Sequence, residues 1–71
     1  MEYSVILTPE PEGGFTVTIP AFPDYVAFAD TEEEAITLAR EGIAFEIERL
    51  RDEGQSPPIE SGPPKVLLAA A

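Results

Sequence analysis

One long helical segment, marked by residue chemistry at both ends, limits the folds open to this 71-residue chain. Thr31 and Glu34 have the spacing of a capping box, in which the threonine hydroxyl accepts from an amide of the first helical turn. Asp30 and Glu33 have the same spacing one residue earlier, so the N-cap could be either Asp30 or Thr31. Gly54 provides the left-handed residue that often follows a helix. The sequence therefore predicts a helix over residues 32–53.

Two alternating runs before the helix predict a hairpin. Residues 3–8 and 15–19 alternate apolar and polar side chains, which is the period of a strand with one buried face. Gly13 and Gly14 lie between the runs and can supply the positive φ angles of a chain reversal. Residues 25–29 predict a short third strand at an edge of the sheet.

Proline-rich segments mark the two remaining connections. Pro20–Asp24 contains two prolines and is predicted to be a stiff turn. Residues 55–64 contain four more prolines and predict an extended tail. Residues 65–69 are apolar and could form a final strand, which would pair either with the sheet edge or with a second subunit. We therefore expect one α+β domain over residues 1–71, a β-β-β-α(-β) antiparallel sheet packed on one long helix.

The helix carries more apolar surface than one sheet needs. A stripe with i, i+3, i+4 spacing is expected to cover the sheet, and its members are Ile36, Ala39, Ile43, Ile47 and Leu50. Leu38 and Phe45 lie on a different face and predict an interface, since large exposed apolar patches usually mark one. The alternatives are that Phe45 caps the sheet edge or is a tolerated exposed aromatic residue.

Small size also favours association between copies of the chain. Domains of this length usually depend on disulfides, a metal or oligomerisation, and the chain has no cysteine and no histidine. That leaves oligomerisation, or stiffening by prolines and ion pairs, and of the two we expect a homo-oligomer, either a dimer or a tetramer. The predicted interface residues are Leu38, Phe45, Arg49, Val66 and Leu68.

The net charge of the chain favours some classes of binding partner over others. The net charge is −10, with only four Lys and Arg residues, so direct binding to nucleic acid is not expected. The electrostatic field of this negative charge favours a basic protein partner. The alternative is that acidity serves solubility alone.

No segment is apolar enough to span a membrane. Absence of cysteine fits a cytoplasmic protein, and absence of Asn with eight Pro fits a thermophile.

The sequence offers little material for catalysis. Without His or Cys, the common nucleophilic triads are absent. Carboxylates at Asp24, Asp30 and residues 32–34 could bind magnesium, but consecutive helical residues point in different directions. Helix capping and the helix dipole account for the acidic run. We predict no catalytic residue, no metal site and no cofactor.

The order of these motifs resembles the HicB-type antitoxins and their stand-alone relatives. The similarity rests on a Gly-Gly-aromatic hairpin at residues 13–17, on Ile19–Pro23, and on the acidic, Thr-capped helix start at residues 30–35. The helix end at Gly54 and the following Pro-Pro-Ile also fit the family. Two departures are the Pro-Asp-Tyr turn in place of the family's Pro-Gly-Cys, and Ala in place of the Gly that often precedes the Asp-Thr pair.

The resemblance implies a partial ribonuclease-H-like fold and a role as partner of a small basic mRNA-cleaving toxin, which bacterial HicB-type proteins neutralise by occlusion. Many members carry a further DNA-binding domain, and we expect this chain to lack one. Two other functions stay open at this point. One is a stand-alone oligomeric binding or structural protein, and the other is a metal-dependent nuclease on the ribonuclease-H-like scaffold.

Overall fold

The two alternating runs form an antiparallel hairpin in the computed structural model, which describes residues 3–60 and 62–69. Its strands are β1 (Val5–Pro9) and β2 (Phe15–Ile19). One face of the hairpin is buried because its inward side chains are all apolar. Residue 61 of the predicted tail lies outside the described part of the chain.

Two glycines close the hairpin, as the sequence predicts. Gly13 and Gly14 have φ angles of 102° and 81°. The amide of Glu10 donates to the carbonyl of Gly14 at 3.0 Å, which joins the two ends of the turn. A Cβ at Gly14 would lie 2.7 Å from the carbonyl oxygen of Ala29. Both the backbone angle and the close approach therefore require glycine at Gly14.

The third strand is longer than predicted. β3 spans Phe22–Ala29, so the prediction of a stiff turn over Pro20–Asp24 is wrong for its second half. β3 is an edge strand, and its register against β2 shifts between Thr18 and Ile19. Proline is tolerated at edges and bulges because no ladder hydrogen bond needs its missing N–H. Pro23 therefore lies within the strand.

The helix α1 spans Glu32–Asp52 and ends one residue before the predicted boundary. Thr31 is the N-cap, and its hydroxyl accepts from the amide of Glu34 at 3.1 Å. Gly54 has a φ of 73°. Around it the amide of Gln55 donates to the carbonyl of Leu50 at 2.8 Å, and the Gly54 amide donates to Arg51 at 3.0 Å. This pair of bonds is a Schellman motif.

A fourth strand completes the sheet from the far end of the chain. β4 (Val66–Leu68) pairs with β1, so the tail extends the edge of its own sheet. The strand order is β3-β2-β1-β4. The α+β class and the β-β-β-α order are confirmed. The sheet is mixed rather than wholly antiparallel, because β4 runs parallel to β1.

The core lies between α1 and one face of the sheet. Its buried members are Tyr3, Val5, Leu7, Val17, Ile19, Phe22, Ala29, Ala35, Ala39 and Ile43. The buried face of α1 is rotated from the predicted stripe, because small residues such as Ala35 and Gly42 lie at its centre. Ile36, predicted to be in the core, is only half-buried and lies outside the cluster.

Hydrogen bonds to the first residues hold the tail against the sheet. The Tyr3 hydroxyl donates to the carbonyl of Pro58 at 2.6 Å. The amide and hydroxyl of Ser4 both donate to the Glu60 carboxylate, at 3.0 and 3.2 Å. The Lys65 amide donates to the Ser4 hydroxyl at 3.1 Å, and the Val5 amide to the Lys65 carbonyl at 2.8 Å. These bonds place β4 beside β1.

Replacing Glu60 with Ala should loosen β4 selectively. The change removes the acceptor of two hydrogen bonds, and a carboxylate bond of this kind contributes about 1 kcal/mol. We expect lower stability to urea and faster hydrogen exchange at the Ala69 amide, which donates to Leu7 across the β1–β4 ladder. Glu12→Ala removes the same charge from an exposed turn and is the control. Unchanged exchange at Ala69 would contradict this assignment.

Candidate functional site

A tyrosine of the edge strand fixes how α1 lies on the sheet. The Tyr25 hydroxyl donates to the backbone carbonyl of Leu38 at 2.9 Å. The ring lies directly over Gly42, where a Cβ would overlap ring carbons Cε1 and Cζ. The side of α1 that carries Leu38 therefore faces β3. Phe45 lies seven residues along the helix and shares that side.

Phe45 is the large apolar side chain that α1 leaves in solvent. Its side chain is 67% exposed. A shallow cleft of about 330 Å³ runs beside the ring and is lined by Phe45, Glu48, Arg49 and Asp52. The ring is thus an apolar centre with carboxylates around it, an arrangement that suits a partner with both apolar and cationic groups.

Arg49 lines the same cleft, but its charge is already paired. Its guanidinium donates to Glu46 at 3.0 Å and to Glu53 at 3.1 Å. These two carboxylates raise the pKa of Arg49 above its ordinary value. The local surface stays acidic, since the pairs neutralise the one cation that borders the ring.

The other predicted interface residues lie elsewhere. Leu38 is half-buried against the core, so it does not form an exposed ridge with Phe45. Val66 and Leu68 are exposed because α1 packs on β3, β2 and β1 and, among the described residues, does not reach β4. The structure therefore brings together only Phe45 and Arg49. Whether these residues bind a partner stays a prediction.

A second apolar surface, on the sheet face opposite α1, was missed by the sequence reasoning. Val26 and Phe28 point away from the helix and are exposed, whereas the residues between and after them are the smaller Ala27 and Ala29, which point inward. Leu67 of β4 is also exposed on this side. The signal was present in the sequence, since the larger residues of the third strand occupy the positions that alternate with Ala27 and Ala29.

No metal-binding cluster is found in the described residues. Within residues 3–60 and 62–69, no group of three or more acidic side chains converges on a point where a metal ion could bind. Over the same residues, the helix is not apolar enough to cross a membrane. The exposed apolar side chains described above lie at the Phe45 cleft, on the open face of the sheet, and at Val66 and Leu68 of β4.

A family model described as the HicB-like antitoxin of bacterial toxin-antitoxin systems matches residues 3–67. The chain belongs to this HicB-like antitoxin family. The matched segment includes β1, β2, β3, α1 and the first two residues of β4, so the Phe45 cleft and the open sheet face both lie within the family domain.

Two relatives differ in how much of their length the HicB-like domain spans. The chain is 32% identical over 59 residues to Antitoxin HicB 1 of Photorhabdus laumondii, covering 83% of this chain but 38% of that protein. It is 33% identical over 61 residues to a UPF0150 protein of Thermoplasma acidophilum, covering 86% of this chain and 88% of that protein.

Gly42→Ala should destabilise this HicB-like domain in the native background and stabilise it when Tyr25 is Ala. The new methyl group would displace the Tyr25 ring and break its hydrogen bond to Leu38, while alanine itself favours the helix by about 1 kcal/mol over glycine. Urea unfolding of the four proteins of this cycle measures both effects. The same sign in both backgrounds would show that the ring does not set the packing at Gly42.

The ionisation of Tyr25 reports the same contact. Burial first, and then the nearby Glu41 carboxylate, raise the pKa of the phenol above its ordinary value. The neutral form is therefore favoured in the folded state. The neutral Tyr25 side chain makes its full contribution to the stability of the folded state below about pH 10. This contribution is lost as the pH rises through the folded-state pKa. Glu41→Gln should lower the pKa of Tyr25 in an NMR titration of its ring, and Glu12→Gln should leave it unchanged.

Proposed function

We propose that this domain is a binding protein of the antitoxin type and not an enzyme. Its partner would be a small basic mRNA-cleaving toxin, which it neutralises by covering the toxin's active surface. Family membership supports the antitoxin role in general. The net charge of −10 supports a basic partner, since opposite fields accelerate encounter and exclude acidic competitors.

The observation that carries the proposal is the exposed ring of Phe45 with its acidic border. Aromatic residues at the centre of an interface supply much of the binding energy when a rim of polar groups excludes water around them. Glu48 and Asp52 border the ring together with the paired Arg49. A toxin surface with an apolar pocket and surrounding Lys or Arg residues would match this arrangement.

Binding of DNA is not part of the role proposed for this domain. Its four cations are Arg40, Arg49, Arg51 and Lys65, and Arg49 is paired with two carboxylates. Such a surface lacks the cluster of positive charge that phosphate contacts require. The chain spans 38% of the Photorhabdus antitoxin. The role proposed for this domain therefore does not extend to operator binding by longer relatives.

The proposed setting is the cytoplasm of a bacterium, where such a toxin would act. A chain without cysteine has no need of an oxidising compartment. The depletion of Asn and Gln and the eight prolines support growth at high temperature.

Phe45→Ser should weaken binding of the protein encoded beside this chain, which we expect to be small and basic, by at least about tenfold, as for a central aromatic anchor. Isothermal titration calorimetry with the co-purified partner measures the change. Phe28→Ser is a matched control, because Phe28 is 71% exposed on the opposite side of the sheet. It should keep native affinity.

Salt dependence is a second readout of the same complex. Binding to a basic partner should weaken as ionic strength rises, because salt screens the attraction between exposed charges. If the neighbouring protein is not basic, or if Phe45→Ser and Phe28→Ser bind equally well, the proposed toxin-binding surface is wrong.

A further inference from the structure

A second cleft borders the Phe45 cleft and shares the Arg49 side chain with it. Its volume is about 250 Å³, and its walls come from the start of β3, the C-terminal half of α1 and the proline-rich connection. Arg49 lines both clefts. The two clefts are therefore parts of one surface, and a partner that covers Phe45 also reaches the second cleft.

The second cleft combines apolar walls with negative charge. Phe22, Leu50 and Pro58 provide the apolar walls, and Asp24 and Glu46 provide two carboxylates. A long side chain with an apolar stem and a cationic end matches this combination. The cleft is smaller than the ~300–1,000 Å³ typical of small-molecule sites, so a single side chain fits it better than a whole ligand does.

The apolar walls of the second cleft are held in place by Tyr3. The Tyr3 hydroxyl donates to the carbonyl of Pro58 at 2.6 Å. The Tyr3 ring packs edge-on against the ring of Phe22, with 5.0 Å between the two centroids. Because these contacts form the cleft in advance, little free energy is lost to ordering when a side chain enters it.

Arg49 shows which kind of cation the Glu46 carboxylate accepts. Its Nη2 donates to Oε1 of Glu46 at 3.0 Å, and its Nη1 donates to Oε2 of Glu53 at 3.1 Å. The Glu46 side chain is only 13% exposed, whereas the Arg49 side chain is 42% exposed. Ion pairs of exposed side chains contribute little stability, so a cation from solvent can replace Arg49 at Glu46.

The two carboxylates of the second cleft also have acceptor capacity left. Within residues 3–60 and 62–69, Oε2 of Glu46 and both carboxylate oxygens of Asp24 accept no hydrogen bond from the protein. A guanidinium has five N–H donors in one plane and can bridge two carboxylates, as Arg49 does, whereas an ammonium is a single point of charge. The cleft therefore suits an arginine better than a lysine.

We propose that the second cleft binds one arginine side chain of the same basic partner that covers Phe45, and that Arg49 is the internal competitor for its carboxylates. This inference rests on the proposed function, because the arginine belongs to the partner named there. The apolar stem of the arginine lies along Phe22 and Leu50, and its guanidinium pairs with Asp24 and Glu46.

An NMR titration of the isotope-labelled full chain with N-acetylarginine amide tests the cleft without any partner. The compound should shift the amide resonances of Asp24 and Glu46 in a saturable way. N-acetylcitrulline amide has nearly the same shape without the charge, and it should leave these resonances in place.

Removing the internal competitor gives the sharpest result. Arg49→Gln should tighten binding of N-acetylarginine amide by about threefold, because it frees the Glu46 carboxylate. Arg51→Gln is the matched control, since Arg51 is an exposed cation of the same helix that lines neither of the two clefts. Equal tightening in the two variants, or shifts spread over the whole acidic surface, would mean that net charge alone attracts the compound and would overturn the proposal.

Calorimetry with the protein encoded beside this chain tests the partner assignment. Asp24→Asn and Glu46→Gln should each weaken its binding by at least about tenfold, because each removes a carboxylate that faces the arginine. Glu12→Gln removes the same charge from the exposed turn and should leave the affinity unchanged. Asp24→Asn keeps both ion pairs of Arg49, so it remains informative if circular dichroism shows that Glu46→Gln is unfolded.

The two measurements separate this inference from the proposed function. If both folded variants bind the neighbouring protein with native affinity while Phe45→Ser weakens binding, the second cleft is not part of the interface and the proposed function stands. If the native chain does not bind that protein at all, the proposed function and the partner assignment are both wrong. The titration with the arginine compound still decides whether the cleft accepts a guanidinium.

Discussion

The close approach of α1 to the sheet determines most of the structure around it. Ala35, Ala39 and Gly42 carry almost no side chain, so the helix backbone can lie near the strands. Tyr25 occupies the space over Gly42 and is tied to the helix by its hydroxyl. That position orients α1 around its own axis, so that Ile43 joins the small residues in the core while Phe45 stays exposed.

Local chemistry explains why several elements could be predicted. The N-cap at Thr31 and the glycine at Gly54 fix the helix ends through hydrogen bonds between neighbouring residues, and the structure has both. The Gly13 and Gly14 turn is similarly local. Such features need no knowledge of the rest of the fold, because their partners lie within a few residues.

Packing between residues that are distant in sequence explains why other features could not be predicted from the sequence. Proline at Pro23 indicated a turn, but an edge position and a bulge accommodate it within β3. Ile36 was assigned to the core by hydrophobicity, yet the small residues beside it make the contact. Leu38 and Phe45 share a face by spacing, yet Leu38 is half-buried against the core while Phe45 is exposed. Each outcome depends on an element distant in sequence.

The pairing of β1 with β4 has a consequence for solubility. β1 is an inner strand because β4, which follows a long, proline-rich connection, pairs with its outer edge through three residues. Without β4, β1 would be an edge strand. The cover that β4 provides is held by the β1–β4 ladder and by bonds that join Tyr3 and Ser4 to Pro58, Glu60 and Lys65, so its loss would uncover β1. An open β1 would present unpaired backbone groups beside Val5 and Leu7, which is the template for edge-to-edge aggregation. The high negative charge of the chain would then oppose aggregation whenever this edge is uncovered.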